Sequence, residues 1–501
     1  MAPLQRIVAV VDVGSNSVRL LVARQLSDSA FEVVDEERFP ARLGMGQAAD
    51  GYLSDAGIGR GVRALRICTE VAASYGPSTM IAAGTEALRR APNAGVFTEA
   101  VFQETGVRVR ILTAEEEAYA SFLGAVNSTD LRDGYIVDIG GGSLEIITVE
   151  GRALVRSKSV PFGALYAAER FKSDPPSPKD VRALRKAVRQ AVGPMPRRGP
   201  VVGVGGAVRN LARIQRLKVR YPLRRLHGLA LPRRDLHRLA ASLTRTDADG
   251  RRRIAGLSAN RVDSLHAAAV VLDEVLDVSG APEFMVSGQG LREGLVWQEL
   301  RGGHPILPDV RGASIAGLAE ANGVPVFGAE PVVGVAARLF AATQGIHGYG
   351  APELDLLLSG ARLAGIGMHV DYYSRDRHAE YLVHSGDLHG FTHREIVLLG
   401  ALVRGAEGGG FSLSEYARVL SPGDERRVEV LSALLGTARA VRRRTPSPVL
   451  DYDVRVGTTG IVVVLRGSAP LDAEVYAFEM KQRALAAALE VPVRLVVDDS
   501  P

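Results

Sequence analysis

The 501-residue chain predicts an α/β protein: two similar α/β domains face to face, then a helical domain, then a small C-terminal α/β domain. Three observations lead there. Apolar strand-like runs alternate with amphipathic helical segments over roughly the first 300 residues. A strand, a turn of glycine and serine and a second strand occur twice, around Asp12 and around Asp138, with a period of roughly 125 residues, too long for a solenoid. Past about residue 325 helical periodicity takes over until a short mixed tail. Composition shifts place the domains at residues 1–125, 126–305, 306–440 and 441–501.

The elements follow in order. "RIVAVVDVG", "SNS" and "VRLLVARQL" read as strand, turn, strand. A helix is predicted over residues 54–74, with Ser54 as N-cap and Ile58, Val62 and Leu65 on one face. "STMIAAGTEALRR" and "VRVRILTAEEEAYASFLGAV" each read as a strand entering a helix. "GYIVDIGGGSLEIITVEG" repeats the opening hairpin. "FKSDPPSPKD" is a loop in which Ser177 caps a helix with Pro178 at its first position. "GPMPRRGP" is a second loop, leading into the strand "VVGVGG". "RGGHPILPD" and "TPSPVLDYD" punctuate the later boundaries, and "VRVGTTGIVVVLRG", "LDAEVYAFEMKQRALAAALE" and "VPVRLVV" form the final α/β unit.

Bulk properties exclude several classes. With 61 Lys+Arg against 56 Asp+Glu the chain is mildly basic, which suits a polyanionic ligand without demanding one. Its arginine runs (224–225, 233–234, 251–253 and 442–444) are read first as solvated helix faces, with guidance of a long polyanion as the alternative. A single cysteine, Cys68, rules out an intrachain disulfide and a cysteine-based zinc cluster. No run approaches 18 apolar residues, and Asp12 interrupts the N-terminal apolar run too early for a signal peptide. A cytoplasmic location and no membrane or specific nucleic-acid partner are expected.

The two turns carry the chemistry. Tips made of Gly and Ser expose backbone N–H groups without side-chain bulk, forming concave nests for phosphate oxygens. Each follows a strand-terminal aspartate. Carboxylates repel phosphate by about 4 kcal/mol at ~4 Å and an effective dielectric near 20, so Asp12 and Asp138 suit Mg²⁺ (or Mn²⁺) held directly or through water. The competing role for each is to accept N–H bonds from its own turn. A third glycine turn, "VVGVGGAVRNL", places Gly205 before a helix carrying Arg209, and "SGQGLREGLV" places Arg292 after the strand "EFMV". In "LTAEEEAYASFLGA", Thr113 and Glu116 form a capping box and Glu115 suits the first turn. Glu117 has neither duty. Its helical neighbours Ala120, Ser121 and Gly124 form a face small enough for another domain or a ligand to approach, and a carboxylate there can deprotonate water.

These pieces resemble the exopolyphosphatase/guanosine pentaphosphate phosphohydrolase family of the actin-like ATPase superfamily. "DVGSNSVRLLVA", "GTEALRRAPN", "LTAEEEAYASFLGA", "DIGGGSLEI", "VGVGGAVRNLARI", "RVDSLHAAAVVL" and "SGQGLREGL" follow its order over about 300 residues. The tail resembles its long, four-domain members. The resemblance implies two actin-like (ribonuclease-H-like) domains around a cleft, a helical HD-like domain and a small α/β domain. It implies a first phosphate loop of Asp12, Gly14, Ser15 and Asn16 and a second of Gly140, Gly141, Gly142 and Ser143. It also implies an Arg89 contact to substrate phosphate, Glu117 as general base and Glu145 as a second essential glutamate for water or metal. Gly205 and Arg209 join the phosphate-binding set. Leu144 stands where the family usually has threonine, and Ala364-Gly365 where the HD fold has its His-Asp or His-Glu pair, so the histidines at 369, 378, 384, 389 and 393 are read as surface and packing residues. The implied activity is Mg²⁺-dependent release of orthophosphate from inorganic polyphosphate by a homodimer. The alternatives are 5′ γ-phosphate removal from guanosine pentaphosphate, an actin-like kinase or a non-enzymatic sensor.

Overall fold

The computed structural model describes residues 6–45, 47, 51–196, 199–324 and 326–498. The first five residues, and Arg197 and Arg198 of the expected "GPMPRRGP" loop, lie outside the described residues. The chain divides into two compact units, residues 1–310 and 311–501.

The first unit holds two sheets. Strands β1 (Ile7–Val13), β2 (Val18–Ser27), β3 (Ala30–Phe39), β4 (Thr79–Gly84) and β5 (Val109–Ile111) run in the order β3-β2-β1-β4-β5. Strands β6 (Gly134–Ile139), β7 (Leu144–Glu150), β8 (Ala153–Val160), β9 (Val201–Val204), β10 (Ala230–Pro232) and β11 (Glu283–Val286) run β10-β11-β9-β6-β7-β8. Read from β8, the second sheet repeats the first: two antiparallel hairpins, then two parallel strands, with β10 added at the edge. The duplication is therefore one of topology as well as of motif. Its register is informative. Asp12 pairs across the hairpin with Arg19, and the equivalent Asp138 pairs with Glu145. Val8 to Val11 are fully buried, because both faces of the central strand are covered by helices.

Eleven helices are described in this unit: α1 (Asp55–Ser74), α2 (Glu86–Arg90), α3 (Ala94–Thr105), α4 (Ala114–Val126), α5 (Ala164–Ala168), α6 (Pro178–Val192), α7 (Gly206–Lys218), α8 (Arg233–Arg245), α9 (Ala248–Arg252), α10 (Leu265–Ser279) and α11 (Leu291–Arg301). Local chemistry starts several of them. The Ser54 hydroxyl accepts from the Gly57 amide at 3.2 Å, Thr113 and Glu116 form a reciprocal capping box, and Ser177 caps α6 with proline following. Packing of α4 and α11 departs from sequence order. Helix α4 closes the first segment, yet Ala118, Phe122 and Leu123 pack on Ile136, Ile147 and Val202 of the second sheet. Helix α11 ends the second segment, yet Leu295 and Val296 pack on Val8, Val10 and Leu21 of the first. Each sheet thus packs on a helix from the other's segment of the chain. The small face of α4 is what permits it. A β-carbon on Gly124 would overlap the Gly290 carbonyl, and one on Gly294 would overlap that of Ala120, so the partner that the face admits is α11.

The second unit is helical, with α12 (Val310–Ala321) at its start, then α13 (Val326–His347), α14 (Ala351–Arg362), α15 (Arg375–Ser385), α16 (His393–Glu407) and α17 (Asp424–Val441). It ends in the sheet of β12 (Val449–Gly457), β13 (Gly460–Gly467) and β14 (Val493–Val497), with α18 (Asp472–Leu489). Gly365 takes a left-handed conformation in the turn after α14, where the HD-type pair would stand. His369 bonds the Gly323 carbonyl at 3.0 Å, His384 packs on Gly400 near the Tyr416 hydroxyl, and His393 is buried at the start of α16.

In two arginine runs single members are tied down, while Arg252, Arg253 and Arg443 are exposed as composition suggests. Arg251 is 1% exposed, its guanidinium bonded to the Val262 and Thr246 carbonyls and paired with Asp174 at 2.8 Å. Arg442 donates to the Val449 carbonyl and Arg444 pairs with Glu474. These cations hold loops in place.

Candidate functional site

The two hairpin tips are built alike. In the first, the Gly14 amide donates to the Ser17 carbonyl at 3.2 Å. In the second, Gly140 donates to Ser143 at 3.0 Å. The remaining tip carbonyls are engaged from outside. Ser15 and Asn16 accept from the Gly44 and Arg42 amides, while Gly140, Gly141 and Gly142 accept from Ala164, Leu165 and Gly163 at the start of α5. Among the described residues no backbone carbonyl accepts from the amides of Gly141 and Gly142, the state in which a nest takes an anion. The tips also meet. A β-carbon on Gly141 would lie 3.0 Å from the β-carbon of Ser15, which is why the second tip is bare glycine at that point.

Between the tips lies a cleft of about 130 Å³. Asp12, Gly14, Ser15, Asn16, Glu117, Asp138, Gly140, Gly141, Ser143, Glu145, Gly205 and Arg209 all line it. Gly142 and Arg89 do not. Gly142 faces a smaller adjoining cavity with its Cα against the Glu86 carboxylate. Arg89 donates to Glu117 Oε2 at 2.9 Å and to the Leu112 carbonyl at 2.8 Å, so the structure places it as the partner of Glu117 and not as a wall of the cleft. Leu144 is fully buried in the core of the second sheet. Its side chain points away from the cleft, so a hydroxyl contact from that position has no bearing on the site.

Burial and mutual repulsion set the electrostatics. Desolvation raises the carboxyls of Asp12 and Asp138 above their ordinary range, opposed at Asp12 by Arg19 and at Asp138 by a 2.7 Å bond from the Ser121 hydroxyl. Glu117, on the first turn of α4, is pushed up to about 7 by burial, against the pull of Arg89. Glu145 is raised well above its ordinary value by burial and by Glu117 and Asp138, and it accepts from the Ser159 hydroxyl at 3.2 Å.

The cations come from single arginines that sequence reasoning did not assign. Arg19, Arg261 and Arg292 line the cleft with Arg209. Arg209 donates to the Gly288 carbonyl at 2.6 Å, and Arg292 holds Glu36 at 2.6 Å. Burial and neighbouring arginines lower Arg19 to about 10, lower Arg209, and lower Arg261 well below its ordinary value. Charges of both signs share the cleft, and Glu293 stands among the arginines. Glu145 is repelled by Glu117, Asp138 and Glu86, whereas Arg261 is repelled by Arg19, Arg38 and Arg209. The aspartates stand between, each influenced by both groups. The signal for Arg19 was in the duplication: it occupies in the first hairpin the register position that Glu145 occupies in the second. Glu86 and Arg261 lie inside quoted motifs, but no local pattern marked them.

The residues present fit a hard divalent cation. Asp12 and Asp138 are carboxylates near the ends of β1 and β6, just before the two tips, and Mg²⁺ typically takes one or two carboxylates and completes its shell with water and phosphate oxygens. The expected set Asp12, Asp138 and Glu145 is not a preformed three-ligand cluster, because no such group occurs among the described residues.

Comparison with known proteins gives a family and a fold. The sequence model of the Ppx/GppA phosphatase family matches residues 21–302, and that of Ppx/GppA phosphatase domain III matches residues 310–454. Among solved structures, a Ppx/GppA family member from Aquifex aeolicus is 27% identical, with a TM-score of 0.52 over 59% of this chain and 98% of its own. A second Aquifex aeolicus structure, of a PPX-GPPA enzyme, is 26% identical with a TM-score of 0.52 over 58% and 99%. An exopolyphosphatase from Cytophaga hutchinsonii, 23% identical, shares the fold with a TM-score of 0.54 over 59% and 98%.

Proposed function

The chain belongs to the Ppx/GppA phosphatase family and is a phosphoanhydride hydrolase, and from that premise we propose that it is an exopolyphosphatase, releasing orthophosphate from the ends of inorganic polyphosphate with Glu117 as general base. The observation that carries this reading is the lining of one cleft, which brings together both glycine tips, four arginines and a glutamate raised to about 7. A base works best with a pKa near the operating pH.

The chemistry follows from positions. The terminal phosphate rests on the amides of the two tips. Glu117 takes a proton from a water on the carboxylate side, and the water oxygen bonds to the terminal phosphorus. The bridging P–O bond opposite breaks in line, and its electron pair leaves on the oxygen of the shortened polymer, toward Arg19, Arg209, Arg261 and Arg292. Glu145 assists in holding the water, and Arg89 holds Glu117 in place. When bound at Asp12 and Asp138, Mg²⁺ supplies charge neutralisation for the phosphate oxygens, which is the main catalytic demand of phosphoryl transfer.

The test is orthophosphate release with Mg²⁺ from long polyphosphate and from guanosine pentaphosphate, side by side. The expected outcome is faster release from polyphosphate, with Glu117→Gln reducing turnover by roughly 10²–10⁴-fold. Faster release from guanosine pentaphosphate would reassign the substrate, and a phosphorylated acceptor without free phosphate would indicate a kinase. Full activity in Glu117→Gln would remove that residue from the mechanism.

A further inference from the structure

Two carboxylates in the cleft have no part in the steps above: Glu293, which accepts from the Gly290 amide at the start of α11, and Glu86. Glu86, in the first turn of α2, is 9% exposed and lies between two cavities. The catalytic cleft and the adjoining cavity of about 30 Å³ share four wall residues: Ser15, Glu86, Gly141 and Leu165. They form a neck. At that neck the Glu86 carboxylate presses on Gly142, where a β-carbon would overlap it. Its partner is Arg90, at 3.3 Å, which lines the outer cavity. The pairing holds the Glu86 carboxylate at the neck and engages Arg90, so that Arg90 is not left free for a phosphate there.

The neck lies on the side of Glu117, since helix α2 carries both Glu86 and the Arg89 that bonds Glu117 at 2.9 Å. In-line displacement puts the departing polymer on the arginine side. For an internal phosphate to sit at the tips, the polymer would have to continue the other way, past Glu117 and Glu145 and through the neck.

We propose that Glu86 is a specificity-determining residue: its charge bars the phosphate polymer from running past the tips, so that only a chain end is placed for attack. This rests on the polyphosphate reading above and adds to it the reason for end-selectivity.

The test compares Glu86→Gln with the parent protein at pH ~8.5, where carboxyl groups are ionised. Binding is measured in a Glu117→Gln background with Mg²⁺, using long polyphosphate and triphosphate. Triphosphate is too short to keep the arginine contacts and also pass the neck. Long polyphosphate is expected to bind roughly tenfold more tightly in Glu86→Gln, the size of one like-charge contact at ~12 Å and an effective dielectric near 20; the gain for triphosphate should be much smaller. With Glu117 intact, kcat and KM on long chains should fall together as internal registers compete with the productive one. Glu86→Asp should restore the parental pattern. Equal gains for both ligands, or none, would overturn the proposal, as would a loss of activity that falls equally on both substrates. Failure of the parent protein to release phosphate would instead sink the enzymatic reading, while the binding comparison would still decide whether Glu86 sets the register.

Discussion

At the scale of the residue, Glu117 and Arg89 are the informative pair. The capping box explained Glu116 and the first-turn position explained Glu115, which left Glu117 over, so the candidate base was legible as a remainder. Its partner was not. Arg89 lies 28 positions away, and the bond between them exists only because β4–α2 and β5–α4 bring two helix starts together. The pairing has a pH consequence. Burial raises Glu117 to about 7, and Arg89 opposes that rise. The deprotonated form is the base, so kcat/KM is expected to increase with pH through a midpoint near 7 and then level. Arg89→Gln removes the opposing pull, so the midpoint should move upward, by about one pH unit. A pH–rate profile of the two proteins checks this; an unmoved midpoint would mean that another group governs the limb. The same burial has a sign for stability. A carboxyl held above its ordinary value of 4.5 is better protonated in the folded state, so the stability it contributes is present below pH 4.5 and is lost as pH rises to about 7.

At the scale of the element, the exchange of α4 and α11 between sheets joins the halves of the cleft. Helix α4 carries Glu117 and also Ser121, whose hydroxyl bonds Asp138 at 2.7 Å. Its place depends on two glycines that let helix backbones touch. Gly124→Ala puts a methyl group into the Gly290 carbonyl, and relief requires the helices to part. We expect a loss of ~1–3 kcal/mol, typical of overpacking, read as a lower denaturation midpoint in urea. Activity should drop further than stability alone explains, because Glu117 and Ser121 move with the helix. An unchanged midpoint would show that the helix pair is not tightly held. The small face itself was visible in the sequence. What filled it was not, since Gly294 is 170 positions away from Gly124 and periodicity carries no information about partners.

At the scale of the whole molecule, cations at the site are separate from cations in runs. Arg251, Arg442 and Arg444 are tied to carbonyls or carboxylates, whereas the cleft arginines come from four distant segments. A polyanion held by several cations releases counterions, so affinity for long polyphosphate should fall steeply and log-linearly with salt, by analogy with nucleic acids. Titrations at several ionic strengths check this, and a flat response would place the polymer's contacts elsewhere. The sequence by itself determined the α/β class, the duplicated hairpins with Asp12 and Asp138, the glycine nests, the capped helix of Glu117 and the helical region followed by a mixed tail. Those are matters of period, turn chemistry and spacing, all local. Only the tertiary structure decided which groups meet: Arg89 with Glu117, Glu86 with Gly142, and four distant arginines in the cleft of the glutamates. Such pairings depend on long-range strand order and helix exchange, and the free energy that fixes them is shared across the buried core of both sheets.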